Sequence, residues 1–530
     1  MKTSKEKLVQ SDIELLHSMG YAQELHRVMS GFSNFAISFT ILSFVSVLTL
    51  FTNGVGSAGP VAGSIGWPLA GFFVIMVALS MAELTSAYPT AGGLYFWACK
   101  LGGPAWGWYT GWFNLIGQVA ITAGIDYGMA NFVNILLNTW FNTPINPQVT
   151  LIIFSVALVL HALMNIAGVQ LVAYLNNVSV WWHLATGAVI VGALAFVPTH
   201  HSLAQSFHTG FTTSGFPFWY ACLLGLLMPM GTFTGYDASA HMAEETIGAA
   251  TRAPWGMVLA VAISTLAGYV LLMGLFLAAP LAQKADLATC QSAGYTSATD
   301  CQWYTSVVTN GSNPVGYILN TDLGTQFGTA LFAFAMVTQF FCGMSSITAN
   351  SRMFYAFSRD GAVPLSRLWH RLSKRFRTPA NAIWLGAGLS FLLTLPSLWN
   401  STAYTAVTSI STIGLYISYV LPVYLRRRVG ESFKPGAWHL GAWGPIVNWL
   451  AIAWVAFISV VFMLPTTFPI NNPSTFNYTP IVLIGVVSLL TLWWFVSVRH
   501  WFKGPVVQGN EAELSQIERE LDDFLDEEVA

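Results

Sequence analysis

Glu83, Asp126, His161, His183, Asp237 and His241 stand inside or at the ends of long apolar runs of this 530-residue sequence. An ionisable group at membrane depth costs at least about 2.5 kcal/mol on insertion scales, so those retained usually line a pathway or pair with one another. Asp126 lies between Gly124 and Gly128, which allow close helix approach, and reads either as a pathway carboxylate or as a structural hydrogen-bonding group. Glu83 reads also as a helix-end carboxylate, and His161 also as a helix-packing residue. The stretch Met228-Pro229-Met230-Gly231-Thr232-Phe233-Thr234-Gly235-Tyr236-Asp237 puts a proline, two glycines and several polar groups in the middle of an apolar run. A regular helix is not expected to run straight through it. Interrupted helices of this kind expose backbone donors and acceptors that can hold carboxylates and ions near the midplane, and the alternative is an ordinary proline kink.

These groups need a scaffold, and the composition says which kind. Hydrophobic residues make up 54% of the chain and charged ones only 8%, about a third of the charge share of a soluble domain. A soluble surface cannot be covered with so few charges, whereas lipid accepts apolar side chains and a spanning helix needs only about 20 of them. The expected fold is an all-α membrane protein of about twelve transmembrane helices. Apolar runs place helices one to six near 31–52, 68–87, 107–137, 150–167, 171–197 and 216–241. Helices seven to twelve fall near 256–280, 326–351, 381–398, 402–424, 444–465 and 479–499. The chain divides into an N-terminal segment 1–30, a membrane domain 31–501 and an acidic tail 502–530. The tail spaces Leu514, Ile517, Leu521 and Leu525 as a short amphipathic helix would, and reads otherwise as a solvated tail.

Orientation follows from Lys and Arg, which collect in cytoplasmic loops. Arg352, Arg359, Arg367, Arg371, Lys374, Arg375 and Arg377 follow helix eight, and Arg426, Arg427, Arg428 and Lys434 follow helix ten. The loops Thr52 to Gly66, Asn138 to Val149 and Pro465 to Tyr478 carry neither residue type, and of the 21 basic residues only Lys284 falls on their side. Both termini are thus expected in the cytoplasm of an inner or plasma membrane. No short apolar leader precedes helix one, so no cleavable signal is expected.

Three stretches resemble the amino acid/polyamine/organocation permeases. They are Met81-Ala82-Glu83-Leu84-Thr85-Ser86-Ala87-Tyr88-Pro89-Thr90-Ala91-Gly92-Gly93-Leu94-Tyr95, Phe233-Thr234-Gly235-Tyr236-Asp237-Ala238-Ser239-Ala240-His241-Met242-Ala243-Glu244-Glu245-Thr246, and Ser351-Arg352-Met353-Phe354-Tyr355-Ala356-Phe357-Ser358-Arg359-Asp360-Gly361. The likeness spans Glu24 to about Trp501 and is nearest the amino acid/choline branch, whose members include fungal permeases for γ-aminobutyrate and choline. It implies a five-plus-five inverted repeat with helices one and six broken at the substrate site, and two further helices at the end. The break in helix one would fall near Ile37 to Ile41, where Ser38-Phe39-Thr40 replaces a glycine-rich triplet common in the superfamily. The implied substrate residues are Ile37, Ser38, Phe39, Thr40, Asp126, Thr232, Phe233, Thr234, Gly235, Tyr236 and Asp237. Phe233 would gate or stack on the substrate, and Asp237 would sit where related exchangers carry an acidic residue. Leu175 to His183 resembles a stretch that carries a lysine in proton-coupled relatives, which makes His183, with Asp237, a candidate proton carrier, since imidazole titrates near neutrality; His183 reads otherwise as a histidine filling a polar cavity.

The expected function is import of a small amine-bearing solute, such as γ-aminobutyrate, with a proton as the coupling ion. Asp126 or Asp237 would face the amine, while choline would rely on Phe233, Tyr236 and Trp182 through cation–π contacts. Choline or polyamine uptake, amino acid/amine antiport and non-transporting nutrient sensing are the alternatives. No HExxH, GxSxG or Walker-type stretch indicates an enzyme, no cofactor or metal is implied, and a net charge of −2 gives no basic surface for nucleic acid. Cys290 and Cys301 share a long polar loop and could pair if it faces an oxidising compartment. Thiol titration of the unmodified protein tests this: the pairing predicts that Cys290 and Cys301 resist alkylation until reduced, and free thiols together with full activity of Cys290→Ser, Cys301→Ser protein would remove it.

Overall fold

The computed structural model describes residues 4–208, 212, 214–280, 313–470 and 475–529, so Cys290 and Cys301 lie outside the described residues. Everything described is helix, turn or irregular chain apart from one isolated bridge between Met29 and Thr246. Eleven helices among these residues are long and apolar enough to cross a membrane. They coincide with the expected spans except at helix six, which is broken into Phe218–Gly225, Leu227–Thr232 and Ala238–His241, each too short to cross alone. The all-α multi-pass fold read from the apolar runs is the one observed.

Local chemistry sets the ends of the spans. Ser30 caps helix one by accepting from the Ser33 amide, and Asn146 caps helix four, Pro147–Ile166, through the Val149 amide. Asn142, in the left-handed region at φ 53°, closes helix three, Pro104–Phe141. Gly168, at φ +115°, turns the chain from helix four into helix five, Val169–Ala195. Several spans are longer than their apolar runs. Helix seven starts at Ala249 and helix eight runs Thr325–Arg359, so the Ser351-to-Arg359 part of the third stretch belongs to the helix rather than following it. Charged residues extend these helices past the apolar zone, where periodic hydrophobicity gives no boundary signal.

Helix one is interrupted at Ser43, two residues beyond the expected window, between Gly31–Leu42 and Val47–Ala58. Ser43 has φ 36° and ψ 79°. Helices one, three and ten are the most enclosed spans, and helix twelve is the most exposed. Apolar contacts hold the bundle, as where the rings of Phe73 and Trp454 stack 4.4 Å apart, 6° from parallel.

On the arginine-rich face the three family-like stretches meet. Arg352 grips the Glu245 carboxylate through Nε (2.8 Å) and Nη2 (3.2 Å), and Arg359 grips Glu244 through Nη2 (2.9 Å) and Nη1 (3.1 Å), all four side chains being buried. Glu244 Oε1 also accepts from the Ala91 amide, 2.9 Å away in the first stretch. Arg426 Nε of helix ten lies 3.3 Å from Glu83 Oε2. The N-terminal segment, which forms a helix over Ser4–Ser18, closes over this cluster. Asp12 accepts from the Gly248 and Ala249 amides at the start of helix seven, and burial holds its carboxyl above the usual carboxylate range. The Tyr21 hydroxyl donates to Asp360 Oδ2 at 2.8 Å, and burial likewise raises the Asp360 carboxyl. The acidic tail is helical over Glu511–Val529, and its Glu518 accepts from the Gln23 amide at 2.7 Å and meets His17 Nε2 at 2.7 Å.

Removing one member of a buried ion pair leaves an uncompensated charge and costs about 3–5 kcal/mol, whereas replacing both by apolar groups is often close to neutral. Arg352→Met is therefore expected to lower the melting temperature and folded yield in detergent sharply. Arg352→Met with Glu245→Leu should recover most of that loss; a double variant as unstable as the single one would mean that the ion pair is not what Arg352 contributes.

Candidate functional site

The breaks in helices one and six lie against each other. Gly235 adopts φ +86°, and a Cβ there would come within 2.1 Å of Ile41 Cγ2. Unwinding frees backbone groups, which must find partners where water is scarce. Side chains supply them. The Ser38 hydroxyl donates to the Tyr236 carbonyl (2.8 Å) and accepts from the Ser239 amide (2.9 Å), and Asn34 Nδ2 donates to the Ser239 carbonyl (3.0 Å). Tyr416 donates to the Phe233 carbonyl, and the Tyr419 hydroxyl accepts from the Gly235 amide at 3.2 Å.

Ser43 holds the other break through helix five. Its hydroxyl meets His183 Nε2 at 2.9 Å, while His183 Nδ1 meets the Ser179 carbonyl at 2.8 Å. A carbonyl only accepts, so Nδ1 carries a hydrogen and Nε2 is left to accept from Ser43. Gln339 Nε2 of helix eight approaches the same hydroxyl (3.3 Å) and that of Ser46 (2.9 Å). Phe39 packs edge-on to the His183 ring, 5.9 Å between centroids.

Two connected chambers reach this junction from the face whose loops carry no Lys or Arg. The outer one, about 340 Å³, is bounded by Thr52, Asn53 and Ser57 on the outer half of helix one and by Thr466 and Thr467. It shares Leu50, Gly231, Thr408 and Thr412 with an inner chamber of about 50 Å³, which ends on Ile41, Leu42, Ser46, Thr232, Thr234 and Gln339. Hydroxyls and amides supply its polar groups, and no Asp, Glu, Lys or Arg lines either chamber. Helix polarity compensates. The halves ending at Leu42 and Thr232 point carbonyl ends, partially negative, towards the junction, whereas the amides of Ser46 and Val47 at the start of the outer half are already bonded, to the Ser43, Phe44 and Val45 carbonyls of the turn before it.

Asp237 stands behind this lining, fully buried. Its Oδ2 accepts from Asn114 Nδ2 (3.0 Å) and Gln118 Nε2 (2.9 Å), and its Oδ1 accepts from the Tyr419 hydroxyl (2.9 Å). His241 Nε2 lies 3.2 Å from the same Oδ2, and His241 Nδ1 lies 3.0 Å from the Ala91 carbonyl. Both ring nitrogens thus face acceptors, and a hydrogen on only one of them leaves the other contact without a donor. Through Ala91, whose amide donates to Glu244, this pair is one residue removed from the buried ion pairs.

Asp126 is turned away from the chambers towards His161 Nδ1, 3.2 Å away, and both side chains are buried. Asp126 Oδ1 and His161 Nε2 have no hydrogen-bond partner among the described residues. Gly343 lets helix eight pass here, since a Cβ would come 1.8 Å from Asp126 Oδ1. Among the other expected residues, Thr232 and Thr234 line the inner chamber, whereas Ser38 and Gly235 serve the junction itself. Thr40 bonds Ser179 (3.0 Å), Ile37 sits in an apolar cluster with Met29 and Ala349, Phe233 packs on Trp67 (4.6 Å) and Tyr236 on Tyr419 (5.0 Å). Residues not anticipated are Gln339, Asn114, Gln118 and the polar face of helix ten, Thr408, Thr412, Tyr416 and Tyr419. The dense hydroxyls of Tyr404 to Tyr419 inside a span were the available signal. No cluster of three or more metal-binding side chains occurs among the described residues.

Broken helices crossing inside a multi-pass bundle, with a chamber open to one face and ion pairs sealing the other, are the architecture of a membrane transporter. The family model described as amino acid permease matches residues 29–487, and the chain belongs to this family. It is 40% identical to "Amino-acid permease BAT1" of Arabidopsis thaliana over 93% of this chain and 95% of that one. A homologue of that permease from Oryza sativa is 38% identical over 93% and 95% of the two chains. The "GABA-specific permease" of Saccharomyces cerevisiae is 27% identical over 96% of this chain and 88% of the relative.

Gly235→Ala is expected to abolish transport and to lower melting temperature. The left-handed conformation costs a non-glycine residue about 1–2 kcal/mol, and the contact with Ile41 adds to it. Adding Ile41→Ala should restore part of the melting temperature by removing the steric share. Equal melting temperatures for both proteins would show that Ile41 does not limit the junction.

Proposed function

We propose that the chain imports a small zwitterionic amino acid, with γ-aminobutyrate the leading candidate, by symport with a proton across an inner or plasma membrane, both termini being cytoplasmic. The observation that carries this reading is a chamber with no charged side chain that ends on two half-helix carbonyl termini and a row of hydroxyls. A zwitterion brings no net charge into such a lining. Its ammonium would meet the carbonyl ends at Leu42 and Thr232, and its carboxylate the hydroxyls of Ser46, Thr408 and Thr412. A polyamine would enter without a single carboxylate to face. Choline would lack the aromatic cage it needs, because Phe233 packs on Trp67, and Trp182 stacks on Phe334 at 4.0 Å. The likeness to the yeast GABA-specific permease supports γ-aminobutyrate.

Coupling would use His183 and the Asp237–His241 pair. His183 bonds the serine at which helix one breaks, and Asp237 shares Tyr419 with the amide of Gly235, where helix six breaks. A proton gained or lost at either would alter a hydrogen bond that fixes the junction. Neither group lines the chamber, so the proton would act through backbone geometry rather than by touching the substrate.

The test is uptake of radiolabelled γ-aminobutyrate, choline, putrescine and α-amino acids into proteoliposomes, with and without an inward proton gradient. One proton per substrate and a one-unit gradient should yield about tenfold accumulation. Asp237→Asn and His183→Gln are each expected to retain exchange of internal for external substrate while losing that accumulation. Uptake only against a preloaded partner would mean antiport, binding without uptake would mean a sensor, and unchanged accumulation in both variants would remove the coupling assignment.

A further inference from the structure

A second site lies on the outside of the bundle. Between helices three and nine, beneath the chain that follows helix eight, runs an apolar groove of about 670 Å³. Trp112 and Val119 mark its extent along helix three, and Leu385 and Leu393 along helix nine. At a rise of about 1.5 Å per residue, the helix-nine wall is about 12 Å long, most of one leaflet's share of a hydrocarbon core about 30 Å thick. Leu392 is 58% exposed, so the groove opens laterally, towards lipid.

Its end on the arginine-rich face is different in kind. Val363 and Leu365 line the groove and also a neighbouring hollow of about 450 Å³ formed with Ser366, Arg367 and Arg371. Leu365 adopts φ +58°, which an L-residue with a branched side chain rarely does, and leaves its side chain 71% exposed where the two hollows meet. Trp369, whose indole donates to the Pro364 carbonyl at 2.8 Å, stands at the same boundary as interfacial tryptophans do. Arg352, Arg359 and Arg426 are all engaged with glutamates, whereas Arg367 and Arg371 are exposed and form no ion pair with a described residue.

We propose that this continuous groove and hollow bind one anionic phospholipid of the cytoplasmic leaflet, its phosphate-bearing headgroup against Arg367 and Arg371 and an acyl chain along helix nine. The occupant follows from charge complementarity: a chain-shaped apolar trough is capped by two cations that form no ion pair among the described residues, at the depth where headgroups lie. Guanidinium forks match phosphate oxygens in two-point contacts. The assignment of leaflet rests on the orientation proposed above, but binding itself does not depend on what is transported.

Native mass spectrometry of the full chain in detergent, titrated with phosphatidylglycerol and phosphatidylcholine of identical acyl chains, tests the proposal without any transport assay. One tightly held phosphatidylglycerol per chain is expected, in preference to phosphatidylcholine. An arginine near an anionic surface is worth about fivefold in binding, so Arg367→Gln with Arg371→Gln should weaken phosphatidylglycerol about thirtyfold and leave phosphatidylcholine unchanged. Leu392→Trp, which narrows the trough without touching its charge, should weaken both lipids. Equal affinity for the two lipids, an unaltered preference in the arginine variant, or a mass showing a second copy of the chain in place of lipid would each overturn it. Because this readout is binding, a failure of the symport reading would leave it standing, and its own failure would leave uptake unaffected.

Discussion

Backbone amides and carbonyls that lose their helical partners inside a bilayer have to be paired by something else, and this requirement governs the organisation of the molecule. Helices one and six are both unwound at mid-depth, so side chains from other helices must take over. Ser38 and Asn34 bind the two broken helices to each other, Tyr416 and Tyr419 reach in from helix ten, and His183 and Gln339 hold Ser43 from helices five and eight. Each repair brings a polar group into the core that has no structural alternative. The hydroxyl-rich face of helix ten and the amide pair Asn114 and Gln118 are explained by the same demand, because Asp237 at the end of the helix-six break must itself be solvated by protein.

The two faces of the bundle are built on opposite principles. One is open, lined by threonine and serine, and free of charged side chains. The other is sealed by two bidentate arginine–glutamate pairs and by the N-terminal segment, which the tail in turn clamps through Glu518. Opening that second face requires separating charges held away from water, each interaction being strong only while its partner is in place. The free energy for doing so has to come from elsewhere in the cycle. The chain Asp237, His241, Ala91, Glu244 and Arg359 connects the broken segment of helix six to those pairs by successive hydrogen bonds, so a change at the junction reaches the seal through directly bonded groups.

Much of this could be read from the amino acids. Apolar runs locate eleven spans because twenty consecutive apolar residues have few other uses, and Pro229, Gly231 and Gly235 announced the break in helix six. The break in helix one was not announced by any residue of its own. Ser43 occupies a left-handed conformation that serine does not favour, and it is held there by His183 and Gln339, residues 140 and 296 positions away. Such a break is specified by tertiary contacts and leaves no local signal. The pairing of Asp126 with His161 is hidden for the same reason: each reads alone as either a pathway group or a structural one, and only the helix packing allowed by Gly343 turns them towards each other. The three family-like stretches were legible as motifs, yet most of their charged residues lie at the seal and not at the chamber.

That separation bears on how selectivity and coupling can coexist. A carboxylate lining the chamber would attract any cation, and its protonation would change substrate affinity directly. With Asp237 withdrawn behind Tyr419 and His183 behind Ser43, the chamber offers only half-helix ends and hydroxyls. Helix-end charges are partial and fixed in direction, so the carbonyl ends at Leu42 and Thr232 can orient a solute without an ionised side chain. A proton on either buried group would then act on the shape of the junction rather than on the charge the substrate meets. Neutral lining and buried titratable groups thus occupy separate layers of the junction, the first facing the chamber and the second bonded to the residues at the helix breaks.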